Sequence, residues 1–303
     1  MLNPLNLNFQ LFQVNQNHPS DKLLKVLFIG DIFGKSGRTI IREQLSELKK
    51  KHSIDLVIAN AENSAHGKGV TPKILNQLME VGVNFFTLGN HSWAKKESLL
   101  TLFDTYSNLV RPLNLKESFK YCSLGEGSRE IIIKGIKIRV TNLMGNSVVF
   151  KGNQSNCFLS FSKLLDQLNA TSFKGIHIVD LHAETTSEKN AFLWAFNGKV
   201  SAVLGTHTHV PTNDWIITEE GTAYITDVGM TGPSSGVIGG AKAGIIEKFF
   251  YPEKRFILEP QEGPRQLCSV LLTFDTESCK AIDIKPIILR EGFEVDQYKL
   301  TIS

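Results

Sequence analysis

The stretch KVLFIGDIFGKSGRTIIREQLSELKKKHSIDLVIANAEN, residues 25–63, decides the fold. It opens with an apolar run that ends in glycine and an acid (25–31), continues with helical spacing (38–51) and closes with a second apolar run (54–63). Continuous apolar runs of this length are typical of strands that are buried on both faces of a parallel sheet. The segment therefore predicts a strand, a covering helix and a second, parallel strand.

The same alternation continues along the chain, where a Thr-Pro pair at 71–72 marks a helix start. Further helices are predicted over 71–82, 95–103, 158–170 and 187–196. Further strands are predicted over 83–91, 175–184 and 200–210, with hairpins over 129–143 (turning at Lys134-Gly135), 214–229 and 267–289. We expect a single α/β domain over 24–303 with two packed sheets, parallel at the centre and antiparallel at the edges.

Composition restricts the class of protein. Of the 303 residues 42% are hydrophobic and 21% are charged, which is ordinary for a globular protein. The net charge of +3 gives no argument for nucleic-acid binding. The four cysteines show no CxxC spacing, so we expect neither a zinc knuckle nor a disulfide framework. No apolar run approaches the roughly 20 residues that span a membrane.

The first 23 residues are rich in Asn and Gln. They lack the basic start and the long apolar region of a signal peptide. We interpret residues 1–23 as an extension that is poorly ordered or docked on the surface, and we expect a cytoplasmic protein without membrane association.

Polar side chains that can bind metals follow five successive predicted strands. In open α/β sheets, functional groups gather beyond the carboxyl ends of the strands. Alone, each such residue could be a helix cap or a turn residue. Together they form a mixed nitrogen and oxygen set, which suits iron, manganese, zinc, cobalt or nickel better than calcium. The set comprises Asp31; Glu62 and Asn63; Asn90 and His91; His182; and His207 and His209.

The histidines of GTHTH (205–209) stand two residues apart. The strand predicted over 200–210 makes this segment extended, so we expect both imidazoles to point to the same side. Glu184 either orients one of the ligand histidines or is an exposed acid at a helix start.

Other polar residues have weaker claims. His66 and Lys68 in HGKG (66–69) could contact a phosphate or a base, or could belong to a solvated turn. The remaining histidines are interpreted as structural: His18, His52 and His177.

Several long motifs resemble the YmdB-like branch of the calcineurin-like metallophosphoesterases. They are FIGDIFGKSGR (28–38), NAENSAHGKGVT (60–71), LGNHSWAKKE (88–97), LVRPLN (109–114), DLHAETTSEK (180–189), GTHTHVPT (205–212) and AYITDVGMTGP (223–233). Two departures from the wider superfamily are shared by this branch. Phe33 stands where the Asp-x-His motif has its histidine, and Glu62-Asn63 replaces a bridging aspartate motif. The resemblance covers about residues 25–290 and implies the metallophosphoesterase fold, an α/β/β/α sandwich.

The same resemblance implies two metal ions per chain, iron or manganese first, with zinc, cobalt and nickel as alternatives. One ion would be bound by Asp31, Glu62, Asn63 and His209, and the other by Glu62, Asn90, His182 and His207. Glu62 would bridge, a hydroxide between the ions would attack phosphorus, and His91 would protonate the leaving oxygen or stabilise the phosphoryl charge.

The activity that this resemblance implies is a phosphodiesterase for cyclic nucleotides, first 2′,3′-cyclic ones, including those derived from RNA, and second 3′,5′-cyclic AMP. It also suggests a homo-oligomer. A metal-dependent phosphomonoesterase and a regulatory or scaffold protein that retains the metal site stay open as alternatives. A nucleotide-binding oxidoreductase that uses the loop 30–37 is disfavoured, because the glycine fingerprint is broken.

Overall fold

The computed structural model describes residues 22–151, 154–255, 257 and 259–292. The extension 1–23, with His18, lies outside these residues except for its last two positions. In the described part the α-helices are α1 Gly34–His52, α2 Pro72–Glu80, α3 Leu99–Thr105, α4 Cys157–Ala170, α5 Thr186–Phe196 and α6 Lys242–Phe250.

The first of two mixed sheets is built around three parallel strands. Its strands are β1 Leu23–Ile29, β2 Leu56–Asn60, β3 Phe85–Thr87, β10 Gly232–Pro233, β11 Arg265–Asp275 and β12 Ala281–Arg290. The strands β1, β2 and β3 run parallel, and β11 pairs antiparallel with β1, β10 and β12. The sequence pattern thus predicts this sheet correctly, parallel where helices cross over it and antiparallel at the C-terminal hairpin.

The second sheet repeats this arrangement. Its strands are β4 Ser128–Ile133, β5 Ile136–Met144, β6 Ile176–His182, β7 Ala202–Thr206, β8 Ile216–Ile217 and β9 Ala223–Ile225. Their order is β4-β5-β6-β7-β9-β8, with parallel pairing from β5 to β9 and antiparallel pairing at both edges. At the β4–β5 turn Lys134 and Gly135 both have positive φ (51° and 80°), as a two-residue hairpin of the predicted kind requires.

The two sheets pack face to face. In β1, Leu24, Val26 and Phe28 belong to the core between the sheets, whereas Leu27 and Ile29 pack beneath α1 to α3. A third cluster joins α4 and α5 to the outer face of the second sheet. The predicted α/β/β/α sandwich is confirmed. None of the helices in the described part of the chain combines the length and apolar character that crossing a bilayer requires.

Several strands end before their predicted limits, and the early end of β7 matters most for the polar residues that follow it. The sequence predicts a strand over 200–210, but β7 ends at Thr206. His207 and His209 lie in a turn, with φ of 99° and 67°. The argument that both imidazoles share a side because the segment is extended is therefore wrong. These conformations are rare for residues with a Cβ and need support from neighbouring contacts.

Candidate metal centre

The carboxyl ends of the parallel strands from both sheets meet at one edge of the sandwich, where three of the predicted polar side chains converge on His182. Its Nε2 lies 3.0 Å from Glu62 Oε1, 3.0 Å from Asn90 Oδ1 and 3.0 Å from His207 Nδ1. Ligand atoms of Glu62, His182 and His207 all lie within 4.8 Å of one another and could hold a metal ion. We call Glu62, Asn90, His182 and His207 the closed half of the centre.

A buried chain of hydrogen bonds orients His182. Thr206 donates its hydroxyl to Asp180 Oδ1 (2.6 Å), so the same hydroxyl accepts from His182 Nδ1 (2.8 Å). Asp180 Oδ2 accepts from Asn60 Nδ2 (2.9 Å) and from Thr87 (2.5 Å). In neutral His182 this arrangement places the proton on Nδ1 and leaves the Nε2 lone pair facing the other ligands, as metal-binding histidines require.

The closed half concentrates negative charge in the interior. Burial alone would raise the pKa of Glu62, but the charge and hydrogen bond of His182 and the His91 N–H lower it to about 2. Burial would lower the pKa of His182, but the carboxylates of Glu62, Asp31 and Asp180 raise it to about 9. Buried carboxylates need a compensating charge, so the centre binds a cation, whether a proton on His182 or a metal ion.

Two further buried oxygens beside the closed half accept no hydrogen bond from the described residues, although one of them, Asp31 Oδ1, lies 3.8 Å from His182 Nδ1. Asp31 is fully buried, and its Oδ2 accepts from the His207 N–H at 3.1 Å, while its Oδ1 has no hydrogen bond among the described residues. Asn63 donates Nδ2 to the Gly67 carbonyl at 2.9 Å, which leaves its buried Oδ1 equally unpaired in the described part of the chain. Unsatisfied buried acceptors cost free energy, and a bound cation would satisfy both.

His209 completes this second group. Its Nδ1 lies 2.8 Å from the Ile238 carbonyl, which it reaches as a donor, so its Nε2 is left for a ligand. The Phe33 ring packs edge-on against the imidazole, with centroids 5.7 Å apart. Phe33 fills its site closely, since a Cβ on Gly67 or Gly239 would lie 2.7 Å or 2.9 Å from the ring. We call Asp31, Asn63 and His209 the open half.

A buried ion pair supports the turn that carries His207 and His209. Lys189 Nζ donates to Asp227 Oδ2 at 2.7 Å and to the Thr206 carbonyl at 2.9 Å. The same Asp227 oxygen accepts from the Thr208 N–H at 3.1 Å. Both charged side chains are fully buried. The pair therefore bonds to the residues on either side of His207 and stabilises the unusual backbone of the turn.

His91 lies between two cavities. One, of about 410 Å³, is lined by His91, by metal-centre residues such as Glu62 and His207, and by the apolar side chains of Ile245 and Phe249. The other, of about 490 Å³, begins at Asn90 and His91. The His91 N–H donates to Glu62 Oε2 at 2.9 Å. Its side chain can thus face a substrate that occupies either space.

The remaining candidate residues from the sequence differ in whether they lie near the metal centre. Glu184 Oε2 lies 2.9 Å from His207 Nε2, which agrees with the orienting role. His66 and Lys68 are exposed, and neither lines the two cavities beside His91. His177 is buried and bonds to the Thr141 hydroxyl at 2.8 Å, which agrees with its structural interpretation. His52 closes α1.

Four supporting residues were missed by the sequence analysis. Asp180 is an acidic residue within β6, a strand in which every residue is buried. A charged residue inside such a strand is unusual and could have identified it. Asp227 follows β9, so the strand-end rule would have found it if that strand had been treated as parallel. Nothing in the local pattern distinguishes Lys189 or Thr206 from ordinary surface and strand residues.

Comparisons with known proteins agree with this architecture. A family model described as YmdB-like protein matches residues 27–287. A Bacillus subtilis relative named 2′,3′-cyclic-nucleotide 2′-phosphodiesterase is 39% identical over 269 residues, which cover 88% of this chain and 98% of that one.

Two solved structures are similar as well. A Mycoplasma pneumoniae protein described as a novel phosphatase matches with a TM-score of 0.83 and 43% identity, over 88% of this chain and 94% of that one. A hypothetical protein from Thermus thermophilus matches with a TM-score of 0.79 and 34% identity, over 88% and 99%. The predicted metallophosphoesterase fold and the resemblance of the motifs are confirmed.

Proposed function

The chain belongs to the YmdB-like family and is a phosphoesterase, and on this premise we propose that it is a dinuclear metal-dependent phosphodiesterase that opens nucleoside 2′,3′-cyclic phosphates. The observation that carries the proposal is the convergence of ligand atoms of Glu62, His182 and His207 within 4.8 Å. Beside them lie buried oxygens of Asp31 and Asn63 that accept no hydrogen bond from the described residues. The substrate class follows the name of the Bacillus subtilis relative, whose sequence this chain matches over most of its length.

The residues present fit two ions. The closed half would hold one, and the open half together with Glu62 would hold the other. Glu62 would contribute a carboxylate oxygen to both ions; its Oε1 lies 3.0 Å from His182 Nε2, and its Oε2 accepts from the His91 N–H at 2.9 Å. The nitrogen and oxygen donors suit iron or manganese, and zinc, cobalt and nickel share this preference. Bound ions would supply Lewis acidity toward the phosphoryl oxygens and would lower the pKa of the attacking water.

His91 would supply the proton for the departing oxygen. In the reaction a water molecule loses a proton to the solvent as its oxygen forms a new bond to phosphorus. The bond from phosphorus to O2′ breaks, and O2′ takes up a proton from His91. Burial lowers the pKa of His91 and Glu62 acts in the opposite direction. A phosphate beside the imidazole would act as Glu62 does and favour the protonated form. Such general acids typically contribute about 10²–10⁴-fold to the rate.

Metal analysis paired with a substrate panel tests the proposal. The protein is reconstituted with Mn²⁺ or, without oxygen, Fe²⁺, and is assayed on 2′,3′-cyclic AMP, 3′,5′-cyclic AMP, bis(p-nitrophenyl) phosphate and p-nitrophenyl phosphate. We expect two ions per chain and conversion of 2′,3′-cyclic AMP to the 3′-monophosphate. A His91→Ala variant should keep both ions while losing about 10²–10⁴-fold in kcat.

Two results would contradict the proposal. Less than one ion per chain after reconstitution refutes a dinuclear centre. Efficient cleavage of p-nitrophenyl phosphate without cleavage of any diester would favour the phosphomonoesterase alternative. If the cellular effect of the protein survives in the His91→Ala variant, that effect does not depend on catalysis, and the result favours the regulatory alternative.

A further inference from the structure

A groove of about 490 Å³ leads away from the metal centre. It begins at Asn90 and His91 and continues between the aromatic side chains of Trp93, Phe119, Tyr121 and Phe150. We call this cavity the aromatic groove. It shares His91 with the cavity over the metal centre, so a ligand of sufficient length can occupy both.

The rings of the aromatic groove form a packed wall. Trp93 and Tyr121 are stacked, with centroids 5.9 Å apart and planes 9° from parallel. Phe119 meets Trp93 edge-on at 5.2 Å and Phe150 at 5.3 Å. Trp93 is also anchored from below by Phe103 of α3 at 5.5 Å. Trp93 is buried and anchors the wall, whereas Phe119, Tyr121 and Phe150 are only partly buried. The contacts therefore hold these three rings in place without a ligand, as a stacking platform requires.

The charges of the aromatic groove are all of one sign. Lys96, Lys120 and Lys151 are exposed and line it, and no carboxylate is among its lining residues in the described part of the chain. The Lys120 ammonium lies 4.5 Å from the centroid of the Tyr121 ring. A mononucleoside 2′,3′-cyclic phosphate has a single phosphate, which the metal centre would bind. The lysines would then face no anion, so their presence favours a substrate with a further phosphate.

We propose that the aromatic groove binds the nucleotide on the 5′ side of a 2′,3′-cyclic phosphate, so that RNA oligonucleotides with a cyclic phosphate end are better substrates than mononucleotides. This rests on the proposed function, which places the cyclic phosphate at the metal centre. Aromatic platforms interleaved with basic side chains bind single-stranded nucleic acids without strong sequence preference. An acidic peptide would satisfy the lysines, but it offers no flat surface to the rings.

Hydrolysis of three substrates tests the proposal: adenosine 2′,3′-cyclic phosphate, its 5′-phosphorylated form, and the dinucleotide ApA with a terminal 2′,3′-cyclic phosphate. We expect kcat/KM for the dinucleotide to exceed that for the unphosphorylated mononucleotide by about 10–100-fold, the gain that one stacked base provides. The 5′-phosphorylated form should fall between them. If it equals the dinucleotide, the groove binds only a phosphate and the proposal fails.

Two groove variants and a charge-matched control assign the preference. One groove variant is the triple substitution Lys96→Ala/Lys120→Ala/Lys151→Ala, and the other is Tyr121→Leu. Each should reduce the ratio of dinucleotide kcat/KM to mononucleotide kcat/KM at least fivefold. This is about the effect of losing one stacking or phosphate contact. The control Lys163→Ala/Lys174→Ala/Lys199→Ala removes the same charge from exposed lysines outside the groove and should keep the wild-type ratio. A ratio that survives in both groove variants overturns the proposal.

A binding measurement separates this inference from the proposed function. Fluorescence anisotropy of a labelled tetranucleotide with a 3′-phosphate needs no turnover. The slope of log K against log salt should become shallower by about 0.7 for each phosphate contact that the triple variant loses. If no substrate is hydrolysed, the proposed function fails and the anisotropy result alone decides the groove. Equal displacement of the probe by a polyglutamate peptide, with no effect of Tyr121→Leu, would refute RNA binding.

Discussion

The two halves of the metal centre differ in how completely the protein satisfies their polar atoms. In the closed half, His182 Nε2 has three neighbours at 3.0 Å, and its Nδ1 is bonded to Thr206. In the open half, Asp31 and Asn63 each keep a buried oxygen without a hydrogen-bond partner among the described residues. The closed half is therefore preorganised, whereas in the open half a bound cation would satisfy the two oxygens. We expect the closed half to bind its ion more tightly.

The largest effect should follow the loss of His182, to which every contact of the closed half converges. The variant His182→Ala should bind fewer ions and lose about a thousandfold in kcat/KM, since a metal ion contributes several kcal/mol to transition-state stabilisation. Metal analysis and steady-state kinetics measure both. His52→Ala removes an imidazole at the end of α1 and serves as the control. Full metal content in His182→Ala would mean that the closed half does not bind metal.

The closed half could be anticipated from the sequence because its residues obey a simple rule. Parallel strands bring their carboxyl ends to one edge, so Glu62, Asn90 and His182 had to lie near one another once the strands were recognised. The apolar runs identify those strands, because a strand that is buried on both faces is continuously apolar and does not alternate between apolar and polar residues. The same rule locates the open-half residues Asp31 and Asn63 but does not give their hydrogen bonds.

The GTHTH turn shows what the sequence pattern could not reveal. His207 and His209 adopt positive φ values of 99° and 67°, which no local preference of histidine predicts. Tertiary contacts support this backbone. Lys189 and Asp227, 38 residues apart in the chain, bond to the residues on either side of His207, and Asp31 accepts from the His207 N–H. Such support depends on which side chains meet in space, so it appears only when the strands and helices are assembled.

The second prediction concerns that ion pair, which supports both halves because each takes one histidine from the turn. Lys189→Met should lower the free energy of unfolding by about 3–5 kcal/mol, since it leaves the buried Asp227 carboxylate unpaired. Urea denaturation measures the loss. Adding Asp227→Asn removes the stranded charge and should recover part of it. A loss below about 1 kcal/mol, the usual value of an exposed pair, would show that the pair is not a buried support.

The third prediction tests the hydrogen-bond chain that distinguishes the closed half. Thr206→Val keeps the shape of the side chain but removes the hydroxyl that accepts from His182 Nδ1. We expect the affinity of the tighter ion to fall by about 10–100-fold, the usual effect of losing a partner behind a ligand histidine. Competition with a metal chelator measures this. Thr206→Ser retains the hydroxyl and should stay near wild type, and an equal loss in both variants would point to packing instead.

The smallest effect is expected at Phe33, whose ring packs beside the open half at the position where the wider superfamily has a histidine. Phe33→Leu removes the edge-on contact with His209, and aromatic pairs of this kind contribute about 0.5–1.5 kcal/mol. The affinity of the weaker ion should therefore fall by about 2–10-fold, while that of the tighter ion stays unchanged. Phe192→Leu makes the same substitution on the buried face of α5 and controls for general loss of packing. If Phe33→Leu lowers the affinity for both ions equally, the two halves bind their ions as one unit. The distinction between a preorganised half and a half that an ion completes would then be wrong.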